Sequence, residues 1–194
     1  MIGRWRIHGH AIVSADDRIA GPDGLTPPTL RNDADWRRFQ AALDEAAVTV
    51  LGRLGHEANP NVKGRNRLVL SASARGIERR DDAWWWDPAA VPVEAALARA
   101  APDGGIVAVP GGRRVFDLFL GPGYDEFHLA RATRVWIPDG VPVFSSVGPG
   151  RSAETVLGDR HVAGPTEDLD AAAGVTMTVW RRAGLTGGGG SAHS

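Results

Sequence analysis

The sequence predicts an α/β fold, with a mainly parallel central sheet flanked by helices and antiparallel strands at its C-terminal end. In the first two thirds of the chain, short apolar runs alternate with stretches whose apolar residues recur at helical spacing. Two of these runs pass through glycines directly into a helix, as is typical of a parallel sheet. After residue 125 only strand patterns remain, which predicts antiparallel pairing there.

The composition indicates one globular domain. The chain has 194 residues, 43% of them hydrophobic, and a formal net charge of −1. This charge favours neither nucleic-acid nor membrane partners, and the absence of cysteine excludes disulfides and thiolate metal sites. Because membrane-span and signal-peptide patterns are absent, we expect a cytoplasmic protein. We expect it to be a monomer or a homodimer. We expect the domain to cover residues 1–183, followed by a flexible glycine-rich tail at 184–194.

Three buried strands are predicted in the first half. Residues 7–14 should form a central strand, because apolar residues occupy both of its faces. Residues 47–51 and 67–70 are apolar runs of strand length. The segment 15–31 is long for a loop inside a compact domain, and such loops are usually functional or mobile.

One helix is predicted between the first and second of these strands, and another after the third. The first can be capped by Asn32 or Asp33, and the second covers residues 92–101. The apolar stripe of the first helix consists of Trp36, Phe39, Leu43 and Ala46.

Three consecutive tryptophans follow at residues 84–86. Consecutive side chains cannot all face one core, so at least one ring should be partly exposed or lie in an interface. Strands are then predicted at residues 126–137, 141–144, 151–165 and 174–182.

The stretch 106–120 combines a buried strand at 106–109 with a Pro-Gly-Gly turn at 110–112 and a helix. A glycine turn lets a ligand approach the backbone, and a helix N-terminus offers free N–H groups to a phosphate. A βα turn that needs glycine only for its geometry would have the same sequence. The apolar residues of the helix are Val115, Phe116, Phe119 and Leu120.

His8 and His10 would project from the same face of the first strand. Such a pair can begin a metal site, but no third ligand lies nearby in the sequence. We therefore favour packed or solvated histidines and expect no metal.

These pieces together resemble the dihydrofolate reductase family, which includes the reductase domain of riboflavin biosynthesis. The resemblance covers residue 7 to about residue 182 and rests on four motifs that occur in the family's order. They are residues 17–21 (DRIAG), Asp35 with Phe39-Gln40 and then 51–53 (LGR), 64–67 (GRNR) before Ser71, and 110–116 (PGGRRVF).

The resemblance implies about eight strands, NADPH as hydride donor and a pterin or related heterocycle as acceptor. It assigns the carboxylate that holds the substrate ring to Asp35, and Asp33 is the rival. Such a carboxylate can accept bonds from an N–C–NH₂ edge and help to protonate the ring nitrogen. The implied substrate contacts are Ile12, Phe39 and Arg65; Arg65 is either a clamp for a substrate carboxylate or an ordinary loop arginine.

The resemblance also implies a set of cofactor contacts, including a glycine pair that is often joined by a cis peptide. These contacts are Val13, Ala20, Gly21, Gly52, Arg53, Leu54, Gly55, Ser71, Ser73, Arg75, Gly111, Gly112, Arg113, Arg114, Val115 and Phe116.

Three single positions and the Pro27-Pro28 pair in the segment 15–31 depart from the family pattern. Gly55 and Phe116 each replace a residue that commonly carries a hydroxyl group, and Ala130 replaces a frequent threonine. We expect an NADPH-dependent reductase of a pterin-like substrate. The alternatives are a reductase of a pyrimidine-derived riboflavin-pathway intermediate and a non-catalytic binding protein on the same fold.

Overall fold

Eleven strands and five α-helices follow one another in residues 2–184, the part of the chain that the computed structural model describes. The strands are β1 Trp5–Ser14, β2 Arg18–Ala20, β3 Val48–Gly52, β4 Arg67–Leu70, β5 Ile77–Arg80, β6 Ala83–Trp86, β7 Gly105–Gly111, β8 Glu126–Ala132, β9 Val141–Pro142, β10 His161–Asp170 and β11 Val175–Arg182. The helices are α1 Asp33–Glu45, α2 Arg53–Ala58, α3 Val93–Ala100, α4 Arg113–Leu120 and α5 Ala153–Gly158. Apart from Gly184, the predicted flexible tail lies outside the described residues.

Nine of these strands form one sheet in the order β10-β11-β8-β1-β7-β3-β4-β6-β5. The pairings from β8 across to β6 are parallel, and those at the two edges are antiparallel. This confirms the predicted α/β class, with one strand more than the resemblance implies. Strands β2 and β9 form a small separate pair. None of the helices within residues 2–184 is both long and apolar enough to cross a membrane.

The tryptophan run lies on β6, which pairs with β5 in a hairpin at one edge of the sheet. The ring of Trp86 is fully buried, and its N–H donates to the carbonyl of Val91 at 2.7 Å. Trp84 and Trp85 are half-buried, and their rings are covered by the guanidinium groups of Arg79, Arg80 and Arg99. The expectation that at least one ring is partly exposed is therefore confirmed.

The prediction of a strand over residues 151–165 was wrong in its first half, where helix α5 forms instead. The Ser152 side chain accepts a hydrogen bond from the backbone N–H of Thr155, and Glu154 lies in the first turn. Both features favour the start of a helix. The strand begins only at His161. Similarly, β8 ends at Ala132 rather than at residue 137, because the chain turns there.

Gly9 allows strands β1 and β8 to share a packed face. The Phe127 ring lies so close to Gly9 that a Cβ atom added there would be 2.2 Å from the ring. The same ring contacts Phe116 of α4 and Phe144, with ring centroids 5.5 and 5.4 Å away. Successive side chains alternate between the two faces of a strand. His10 of β1 and His128 of β8 therefore point to the opposite face, where α1 packs.

We expect Gly9→Ala to destabilise the protein by about 1–3 kcal/mol, because the new methyl group forces the Phe127 ring out of its position. Gly148→Ala is the matched control, since a Cβ atom there meets nothing within 4 Å. Urea denaturation of both variants measures the difference. Adding Phe127→Leu to Gly9→Ala should recover part of the loss. Equal stability of Gly9→Ala and Gly148→Ala would contradict this account of the β1–β8 contact.

Candidate active-site cleft

A cleft of about 2430 Å³ opens along the C-terminal ends of the parallel strands β1, β3, β4 and β7. Its remaining walls come from the segment that follows β1, from α1 and from the first turns of α2 and α4. Ligands of open α/β sheets bind outside these strand ends. A pocket for one small ligand typically measures ~300–1,000 Å³, so this cleft has room for two ligands side by side.

Helices α2 and α4 both begin at the cleft with a glycine as the N-cap residue. Neither Gly52 nor Gly112 has a side chain that could bond the first N–H groups of its helix. Those N–H groups and the positive ends of the two helix dipoles suit an anionic ligand such as a phosphate.

The turn before α4 requires glycine at Gly111. Its φ angle is 98°, and a Cβ atom there would lie 2.5 Å from the Phe116 ring. The Gly111–Gly112 peptide bond is cis, as the resemblance implies. Gly112 differs from its neighbour, because a Cβ atom at this position would meet only Ile19, at 3.9 Å. A side chain at Gly112 would therefore fit the fold while occupying the space beside the helix start.

Polar side chains lie along the same end of the cleft. The hydroxyl groups of Ser71 and Ser73 are 2.9 Å apart just beyond β4. Arg53, in the first turn of α2, is paired with Glu57 at 3.1 Å. Arg113 and Arg114 are exposed in the first turn of α4. This end of the cleft therefore carries three arginines and two hydroxyl groups around the two helix starts.

Asp35 lies in the first turn of α1 and lines the cleft. Its backbone N–H and that of Ala34 are capped by the side chain of Asn32. Among residues 2–184, no donor is bonded to its carboxylate. Burial raises the pKa of Asp35 to about 6, and the nearby Arg38 guanidinium opposes this only in part. Asp33, the rival, is exposed at the start of the helix.

Apolar side chains also line the cleft. Ile12 and Phe39 line it, as the resemblance implies. Sequence reasoning missed three exposed apolar members of the wall: Leu25 and Trp36, each with an exposed fraction of 52%, and Val62 with 91%. Exposed apolar side chains grouped around a cleft indicate a surface that a ligand covers. The apolar stripe predicted for α1 already contained Trp36, but Trp36 was not named as a site residue.

The structure brings most of the predicted cofactor residues to the cleft wall. They are Ala20, Gly21, Gly52, Arg53, Leu54, Gly55, Ser71, Ser73, Gly111, Gly112, Arg113, Arg114, Val115 and Phe116. Val13 is fully buried and does not line the cleft, and Arg75 is also absent from its wall. Arg65 lines the cleft, but its guanidinium donates to Asp44 at 2.9 Å and to the side chain of Gln40 at 2.9 Å.

A histidine cluster lies on the α1 face of strands β1 and β8. The ring of His10 stacks on that of His128 at 4.6 Å and lies 6.0 Å from the Phe39 ring. Burial and the two neighbouring histidines lower the pKa of His10 to about 3, so this ring is neutral at physiological pH. Its Nε2 atom is buried without a hydrogen-bond partner in the described chain.

The sequence shows no third ligand near His8 and His10, and the absence of a metal stays a prediction. The fold nevertheless places Glu126 and His128 of strand β8 beside His8. Their position in the sequence could not reveal this, because it depends on which strands are neighbours. The available signal in the sequence was the spacing of Glu126 and His128, which lie two residues apart and so share one face of a strand.

The solved structures that resemble this chain include two reductases and a riboflavin biosynthesis protein. A dihydrofolate reductase from Enterococcus faecalis, complexed with NADP(H) and RAB-propyl, has a TM-score of 0.65 and 17% identity over 93% of this chain and 98% of that one. A protein from Shewanella sp. PV-4, described as a riboflavin biosynthesis protein, has a TM-score of 0.61 and 17% identity, and the match covers 91% of this chain and 98% of that one.

The third is a diaminohydroxyphosphoribosylaminopyrimidine deaminase/5-amino-6-(5-phosphoribosylamino)uracil reductase from Thermotoga maritima, with a TM-score of 0.62 and 15% identity. The match covers 93% of this chain but 57% of that protein. No protein-family model and no curated sequence matches the chain. At these identities the likeness establishes the fold: the chain has the dihydrofolate reductase-like fold, as the resemblance predicted.

The raised pKa of Asp35 should make its ionisation destabilising. The ordinary pKa is 3.8, whereas the folded carboxyl keeps its proton up to about pH 6. Between these values the folded state binds more protons than the unfolded state, so stability falls as the pH rises. We expect Asp35→Asn to be more stable than the parent at neutral pH by about 1–3 kcal/mol, and this gain to vanish near pH 4 and below.

Urea denaturation at both pH values tests this expectation. Asp33→Asn is the matched control, because it removes a carboxylate from the same helical turn at an exposed position. It should give no gain in stability at neutral pH. Equal stability of Asp35→Asn and the parent at both pH values would contradict the raised pKa.

Proposed function

We propose that the protein is an NADPH-dependent reductase that transfers a hydride to a pterin-like heterocycle, such as dihydrofolate or another dihydropterin. One observation carries the proposal. A single cleft joins two glycine-capped helix starts at one end to apolar side chains and a half-buried carboxyl group. The first suits a dinucleotide pyrophosphate, and the second suits a flat heterocycle with an N–C–NH₂ edge.

The residues at the phosphate end fit NADPH. The helix starts at Gly52 and Gly112 would hold the pyrophosphate. Arg53, Ser71 and Ser73 supply donors for the 2′-phosphate that distinguishes NADPH from NADH, and Arg53 would exchange its partner Glu57 for that phosphate. NADPH supplies the hydride when it is bound. The Enterococcus faecalis neighbour, which was solved with NADP(H), supports this assignment.

At the other end, Asp35 would orient the substrate and transfer a proton to it. Its carboxylate would accept hydrogen bonds from the N–C–NH₂ edge of the ring. With a pKa of about 6, it can help to pass a proton to the ring nitrogen at neutral pH while the neighbouring carbon accepts the hydride. Ile12 and Phe39 provide apolar surface for the ring, and the segment 15–31 helps to exclude water.

A reductase of a pyrimidine-derived riboflavin-pathway intermediate is the second candidate. The partners of Arg65 favour it, because a guanidinium bonded to Asp44 and Gln40 is not free to clamp the carboxylate of a folate tail. The Shewanella neighbour is described as a riboflavin biosynthesis protein, and the Thermotoga maritima neighbour as a reductase of a phosphoribosylaminouracil, which also supports this candidate. Assaying NADPH oxidation with dihydrofolate, other dihydropterins and a ribosylaminouracil phosphate separates the two candidates.

Gly112→Val should abolish NADPH binding while the protein stays folded. The valine side chain would occupy the space that a phosphate needs at the start of α4, although its Cβ atom meets only Ile19, at 3.9 Å. Fluorescence titration with NADPH measures binding, and circular dichroism checks the fold. Gly148→Val, outside the cleft, is the control. NADPH binding by Gly112→Val with the affinity of the parent would make this glycine turn merely structural.

Asp35→Asn should keep the fold and NADPH affinity but lose ~10²–10⁴-fold in turnover at neutral pH, because the variant has no acid at the substrate ring. Part of the activity should return at lower pH, where more substrate is already protonated. The measurement is steady-state NADPH oxidation against pH, with the best substrate found above.

Asp33→Asn is the control for the same helical turn and should keep its activity. The opposite pattern, with loss only in Asp33→Asn, would move the acid to Asp33. NADPH binding without oxidation of NADPH by any of these substrates would contradict the reductase and favour a non-catalytic binding protein.

A further inference from the structure

Strands β1 and β8 pair in parallel with His8 opposite Glu126 and His10 opposite His128. The side chains of His8, Glu126 and His128 therefore share one face of the sheet. One ligand atom from each of the three lies within 4.8 Å of the other two. The Nε2 atom of His128 is 3.2 Å from Oε2 of Glu126. We call these three residues the β1–β8 triad.

We propose that the β1–β8 triad binds one divalent transition-metal ion of the zinc type. Two imidazole nitrogens and one carboxylate oxygen are a donor set that zinc and its neighbours favour, whereas magnesium and calcium prefer oxygen alone. Ligand atoms around a tetrahedral zinc ion lie about 3.4 Å apart, given metal–ligand distances near 2.1 Å. Small side-chain rotations therefore bring the triad to binding geometry.

The surroundings of the triad support an ion. The Nε atom of Arg181 donates to Oε1 of Glu126 at 3.1 Å and so leaves Oε2 directed toward His128. A hydrogen bond of this kind orients a ligating carboxylate. The three ligands are half-buried, so an ion can reach them from solvent and keep water in its remaining coordination position.

The triad lies at the side of the cleft. His8 and Glu126 do not line the cleft, whereas His128 does. The ring of His128 stacks on that of His10, which lies 6.0 Å from the ring of the cleft residue Phe39. Three ligands hold an ion less tightly than four, and the positive charge of the nearby Arg181 opposes the binding of a cation. We therefore expect exchangeable binding rather than a permanent structural metal.

The experiment uses the full chain without an affinity tag, freed of metal with EDTA. Isothermal titration with Zn²⁺ should give one site per chain, and Co²⁺ should produce the visible absorption of a four- or five-coordinate complex. His8→Ala, Glu126→Gln and His128→Ala should each weaken Zn²⁺ binding at least 10-fold. The glutamine of Glu126→Gln can still accept from Arg181, so its loss of affinity reports on the charge and not on the fold.

His56→Ala and His193→Ala are controls, since neither histidine belongs to the triad. Both should bind Zn²⁺ like the parent. Zn²⁺ should also raise the melting temperature of the parent and of both controls, but not that of His8→Ala. If His128→Ala fails to fold, His8→Ala and Glu126→Gln still decide the question. Unchanged affinity in those two variants, or loss of the site in either control, would overturn the proposal.

Discussion

The contact between Gly9 and the Phe127 ring is the constraint on which the centre of the molecule depends. It allows a large aromatic ring to lie against β1, so that α4 and Phe144 pack around this ring on one face of the sheet. The same β1–β8 pairing fixes the register on the other face. There it brings His10 opposite His128 and His8 opposite Glu126. Packing on one face thus determines which polar groups meet on the other.

A second buried contact anchors the segment that forms the wall of the cleft. The Arg131 guanidinium on β8 bonds Asp17, Glu154 of α5 and the carbonyl of Ser14 at the end of β1. Removing Arg131 would leave the buried Asp17 carboxylate without its cation, a kind of loss that costs ~3–5 kcal/mol. Asp17, whose φ angle is 64°, is therefore held in a turn that directs the chain into β2 and the cleft wall. The start of the long loop is fixed by charge rather than by apolar packing.

The parts of this structure that local patterns determine could be predicted from the sequence. Residues 67–70 form the predicted strand, and Gly111 and Gly112 form the predicted turn, in which the positive φ angle of Gly111 favours glycine. Contacts between distant segments could not be predicted in this way. Arg65 is held by Asp44 of α1, and Glu126 lies beside His8, only because the sheet orders its strands as it does. The sequence contains these residues but does not state which strands are neighbours.

The raised pKa of Asp35 is connected with another contact between distant segments, the ion pair of Arg38 with Glu167. Arg38 lies three residues further along α1, a spacing at which a cation and a carboxylate on a helix can pair. Instead, its guanidinium bonds Glu167 of β10 at 2.8 Å. The remaining attraction of Arg38 is too weak to offset the burial of the Asp35 carboxyl, whose pKa stays near 6. The ion pair between Arg38 and Glu167 therefore holds the guanidinium away from the Asp35 carboxyl, whose pKa stays raised. A direct Asp35–Arg38 pair would lower that pKa.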